Sequence, residues 1–95
     1  MDSDNQTPFQ QKYAARVKAD LEWMRDECEP LRSNVLINRL HQGIVDTLKG
    51  LEECTKYNKS FNGVFESYSL IEKDFRELSS IFENWDKRNS HEQTP

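Results

Sequence analysis

The chain has 95 residues, of which 35% are hydrophobic and 32% charged, with a formal net charge of -4 and a pI near 5.1. One domain is the upper bound, and apolar residues laid in stripes among so many charges give the chain edges to bury more than a core, so partners or self-association are expected. Its basic residues are dispersed among acids, Lys49 and Lys56 beside Glu52 and Glu53, Lys73 and Arg76 beside Glu72, Asp74 and Glu77, which argues against the clustered cationic surface of a nucleic-acid binder.

Residues 1–7 are polar and expected to be disordered. They lack the basic and apolar regions of a signal peptide, and no apolar run approaches the ~20 residues that span a bilayer, so an intracellular chain without membrane insertion is expected. Thr7, Pro8 and Gln10 then mark a helix start: a capping hydroxyl, a proline suited to the first helical position, and the second member of a capping box. A first helix is predicted over residues 8–29, with one stripe of Phe9, Tyr13, Val17, Leu21, Met24 and Cys28 at steps of three and four. Pro30 disfavours helical geometry at Glu29 and removes an N–H, which predicts a kink or short linker at residues 30–34. Pro30 permits the first helix either to fold back or to extend.

A second helix is predicted over residues 35–87, a rod of roughly 80 Å. Its signature is a column with one residue in every seven: Leu40, Thr47, Cys54, Phe61, Tyr68, Phe75 and Phe82. In the first half the column is flanked by Ile37, Ile44, Leu51, Asn58 and Phe65, a two-position coiled-coil seam. After Tyr68 the flank passes to Ile71, Leu78 and Trp85 through an extra three-residue step, and Val64 beside Phe65 makes the face widest at that junction. This favours packing among several helices over a two-stranded rod. The fold expected is therefore all-α: a short N-terminal helix, a kink or break near Pro30, and one long coiled-coil helix packed in a multi-helix hetero-oligomer.

Asn62 and Gly63 form a common turn pair, and Gly43, Gly50 and Gly63 each cost about 1 kcal/mol inside a helix. A break between residues 58 and 63 is the alternative, but the column keeps its phase across that stretch, and continuity is expected. Asn58 in the seam is read as either a register-fixing buried amide or an edge residue, and Gly43 with Gly50 as either a close helix contact or two tolerated glycines. Cys28 and Cys54 fall on the stripes, where a reduced thiol acts as a small hydrophobe. Residues 88–95 are read as a disordered tail.

Catalytic, cofactor and metal residues are not expected. His41 and His91 stand far apart, no Cys/His spacing fits zinc, no glycine loop cradles phosphate, and no small-molecule substrate is implied. The residues expected to meet partner helices are Ile37, Leu40, Ile44, Leu51, Cys54, Asn58, Phe61, Val64, Phe65, Tyr68, Ile71, Phe75, Leu78, Phe82 and Trp85.

The run Asn58, Lys59, Ser60, Phe61, Asn62, Gly63, Val64, followed by Lys73, Asp74, Phe75 and by Leu78, Ile81, Phe82 and Trp85, resembles the core of the small Dad-type subunits of the fungal DASH (Dam1) complex. Val35, Leu36, Ile37 and Leu40 resemble the start of the same long helix, so the likeness covers residues 32–85, and the Asn-Lys and terminal Trp elements are also similar to the related Duo subunit. The resemblance implies a non-catalytic structural subunit of a helical hetero-oligomer that couples kinetochores to spindle microtubules during chromosome segregation in the nucleus. It implies helical protein partners and an indirect microtubule association. A net charge of -4 suits holding the complex together better than gripping an acidic microtubule surface. Two other readings fit the same pattern: a coiled-coil subunit of a vesicle or lysosome tethering complex in the cytoplasm, and a homo-oligomeric coiled-coil adaptor.

Overall fold

A computed structural model describes residues 7–84. The elements are α1 (Pro8–Cys28), a 3-10 turn (Glu29–Leu31), α2 (Val35–Tyr57) and α3 (Asn62–Glu77), with no strand among the described residues. A turn at Leu78 ends α3, and residues 79–84 are again helical. The expected tail at residues 88–95, the first six residues and Trp85 lie outside the described part.

The start of α1 forms as its sequence dictates. The Gln10 backbone N–H donates to Thr7 Oγ1 at 3.1 Å, and the Thr7 N–H donates to Gln10 Oε1 at 3.2 Å, a complete capping box with Pro8 at the first helical position. Pro30 falls in the 3-10 turn, and the chain reverses there. Asn34 then caps α2, its Oδ1 accepting from the N–H groups of Leu36 at 2.9 Å and Ile37 at 3.2 Å.

The single long helix expected over residues 35–87 does not form. It ends at Tyr57, where Asn58 takes the left-handed conformation (φ 56, ψ 46), the one non-glycine residue with positive φ among those described. The Lys59 N–H reaches the Cys54 carbonyl at 2.9 Å, the six-to-one bond of a Schellman cap, and asparagine is among the few residues that tolerate this geometry. The Asn62 backbone N–H donates to Ser60 Oγ at 3.2 Å as α3 begins. The physical reason for the break is burial. An isolated rod would leave its whole apolar column in water, whereas folding back sets the two halves of the column against each other and against α1.

The result is an up-down-up bundle in which α1 and α3 run parallel and both pack on α2. Its main core joins Val17, Leu21, Met24 and Cys28 of α1 to Ile37, Leu40 and Ile44 of α2 and to Tyr68 and Ile71 of α3, with Leu31 of the turn closing one end. A smaller cluster of Ala14, Leu51, Phe61 and Val64 closes the other end. The α1 stripe differs from expectation in its first turns: Ala14 is buried, while Phe9 and Tyr13 stand on the edge, 76% and 39% exposed. The glycines are not forced by packing. A methyl group at Gly43 or Gly63 would meet nothing within 4 Å, and one at Gly50 would touch Val64 at an ordinary 3.8 Å.

Candidate partner interface

The residues expected to face partners are for the most part occupied by the chain itself. Ile37, Leu40, Ile44, Leu51, Phe61, Val64, Tyr68 and Ile71 are buried in the bundle. Cys54, Phe65, Phe75, Leu78 and Phe82 are half-buried against it. Asn58 is exposed at its corner, so its buried register role does not hold.

What the bundle leaves outside is an aromatic edge along the seam of α1 and α3. Phe9 stacks on Tyr13 with ring centroids 6.5 Å apart, and Tyr13 meets Phe65 edge-on at 4.8 Å. Phe65 in turn stacks on Phe61 at 5.6 Å. Further along, Trp23 leans on Phe75 at 5.4 Å, and Phe75 stacks on Phe82 at 4.6 Å. Between these groups the Tyr68 hydroxyl donates to Asp20 Oδ2 at 2.7 Å. Burial first, and then the Asp20 carboxylate, hold the Tyr68 phenol well above its ordinary range, so it stays a neutral donor that ties α3 to α1. The outer faces of Phe9, Tyr13 and Trp23 are left to solvent, Trp23 being 56% exposed.

Sequence pattern assigned partner roles to Phe61, Phe65, Phe75 and Phe82 on the far side of this edge, but none to Phe9, Tyr13 or Trp23 of α1. Trp23 is the most informative omission: it stands one residue out of phase with Met24, where a helix core has no place for it. A tryptophan beside a stripe, instead of within it, is the signal that would have found the edge. Val35, Leu36, Tyr57 and Leu70 are also exposed, singly or in pairs on α2 and α3.

A second polar feature lies at the first corner. His41, buried among the core residues of α2, sets Nε2 2.8 Å from Glu29 Oε2, and Arg32 lies 3.8 Å from the same carboxylate's other oxygen. Arg32 Nε also donates to Asn38 Oδ1 at 3.3 Å. These contacts tie the turn to α2 and give the buried imidazole a partner, a structural assignment for His41. Cys28 beside them is buried, and burial, with Glu27 and Glu29 adding negative charge, pushes its thiol up to about 11, so it is a poor nucleophile at neutral pH. Among the described residues no group of three or more His, Cys, Asp and Glu is placed to hold a metal ion, and no helix is long and apolar enough to cross a membrane. No family model, curated protein or solved structure matches the chain.

Proposed function

We propose that the chain is a non-catalytic subunit of an intracellular helical assembly, which it joins through the aromatic edge of α1. The carrying observation is the row of Phe9, Tyr13 and Trp23, large rings left open along one edge of a 21-residue helix whose own core is already filled. Exposed aromatic groups of this kind anchor interfaces because they bury much area at small cost in conformational entropy. The resemblance of Asn58, Lys59 and Ser60, of Asp74 and Phe75, and of Leu78, Ile81 and Phe82 to Dad-type subunits supports a more specific reading. In that reading the assembly is a DASH-like complex between kinetochore and spindle microtubule, and the acidic chain binds other subunits while microtubule contact is left to them.

A second reading, a self-contained or homo-oligomeric adaptor, is favoured by one observation: the three helices bury their stripes against each other without a partner. Capture of a tagged chain from its own cells, followed by mass spectrometry, separates the two. The subunit reading expects several small helical proteins in near-equal amount, and a fall to about a tenth in the double variant Phe9→Ser, Trp23→Ser, by the usual scale of hot-spot losses. Circular dichroism of that variant checks that the bundle is kept. Recovery of the chain alone, as a discrete monomer or homodimer by light scattering, would establish the adaptor instead.

A further inference from the structure

We infer that the groove between α1 and α2, on the side away from α3, receives an acidic amphipathic helix from a different chain and so completes a four-helix bundle. The inference rests on the subunit reading and names the chemistry of one partner. The groove floor is apolar: Val45 and Leu48 are half-buried and Leu51 lies beneath them. Its rims are basic. Lys18 and Arg25 stand two helical turns apart on α1, and Lys49 and Lys56 stand two turns apart on α2. Glu22 and Glu52 also line it, leaving four cations against two carboxylates in a chain that carries 17 acids and 13 bases overall.

The chain leaves three of these four cations without a carboxylate among the described residues. Among the described residues no carboxylate comes within ion-pairing distance of Lys18, Lys49 or Lys56. Arg25 reaches only its neighbour Asp26, at 3.5 Å, and the Lys56 ammonium rests 5.4 Å over the adjacent Tyr57 ring. Two antiparallel helices with an open apolar seam have the shape into which another helix packs ridge into groove. Flanking carboxylates on that helix would meet both basic rims, which selects an acidic partner over a basic one. The outer face of α3, with Glu66, Lys73, Asp74 and Glu77 around the exposed Leu70, offers a single leucine and no stripe, so a second copy is the poorer occupant.

The test uses the full-length chain and a synthetic helical peptide of about six turns, leucine along one stripe and glutamate on both flanks, with a control in which every glutamate is lysine. Titration calorimetry at low salt should show the glutamate peptide binding at least about tenfold more tightly, with the preference shrinking as salt rises. The double variant Lys18→Glu, Lys49→Glu changes two exposed positions and should reverse the preference; circular dichroism checks its helicity. Equal affinity for the two peptides, no binding by the wild type, an unchanged preference in the variant, or stronger binding to anionic vesicles than to the peptide would overturn the inference. Self-association abolished by the double variant would also overturn it, in favour of a second copy. If partners captured from cells are lost in the Phe9, Trp23 variant but kept in the Lys18, Lys49 variant, the groove inference fails while the subunit reading stands.

Discussion

The two corners of the bundle reverse the chain by different means. At the first, residues 29–34 are held by side chains: Asn34 caps α2, Glu29 pairs with His41 and Arg32, and Cys28 and Leu31 are buried. At the second, residues 58–61 rely on backbone geometry and one plug. Asn58 and Lys59 close the end of α2, the Cys54 thiol donates to the Ser60 carbonyl at 3.3 Å, and Phe61, 2% exposed, fills the space between Ala14, Leu51 and Val64. A corner distributed over several polar contacts loses little when one is removed. A corner closed by a single ring does not share the load.

That contrast is broken most sharply at Phe61. Phe61→Ala removes the ring from a nearly sealed site and should cost about 3–5 kcal/mol, a large part of the ~5–15 kcal/mol of an ordinary domain. Urea unfolding followed by circular dichroism measures it. A loss under about 1 kcal/mol would mean that the second corner is open and that α3 is not docked by this plug.

Why one corner was legible and the other was not follows from the same contrast. Pro30 acts through its covalent ring, which is visible in the letters, while the capping amide of Asn34, which the same corner uses, went unread. The Thr7, Pro8 and Gln10 start of α1 was legible for the same reason. Asn58 acts through a dihedral angle, which hydrophobic phase does not report. The column of Leu40, Thr47, Cys54, Phe61, Tyr68, Phe75 and Phe82 kept its period because a connection of residues 58–61 replaces about one helical turn, so both helices present the column to the same core. Phase continuity therefore shows a shared buried face and not a continuous helix. The α1 side of the aromatic edge was hidden for a related reason: periodicity finds residues that pack inward, and Trp23 is informative because it does not.

The first corner can be probed with pH, because Cys28 is enclosed there. Its thiol holds its proton up to about 11, whereas the unfolded thiol releases it near 9. Between those values the folded state binds more protons than the unfolded state, so stability falls as pH rises, by a loss on the order of 3 kcal/mol once the folded pKa is passed. Tyr68, also held above its ordinary value, adds to the loss only above pH 10. Thermal melts should therefore decline from pH 9 to 10 in the wild type and flatten in Cys28→Ala. An equal slope in both would place the thiol in contact with water and loosen the first corner.

The smallest effect is the most discriminating, because its sign alone decides between a turn and a rod. Asn58→Ala in a continuous helix would be stabilising, since alanine exceeds asparagine in helix propensity. At a left-handed position alanine's Cβ crowds the following carbonyl, a conformation that asparagine tolerates better. The substitution should then destabilise by about 1 kcal/mol. Asn58→Gly reverses the expectation: a glycine would weaken a rod but suits the left-handed cap, and it should leave stability unchanged or slightly raised. Chemical denaturation of the two variants side by side reads both signs. Alanine more stable than glycine would restore the long helix over residues 35–87, and with it an apolar column free to meet other chains along its whole length. Glycine more stable than alanine keeps the column inside this bundle and leaves only the surfaces that the three helices do not cover open to other chains.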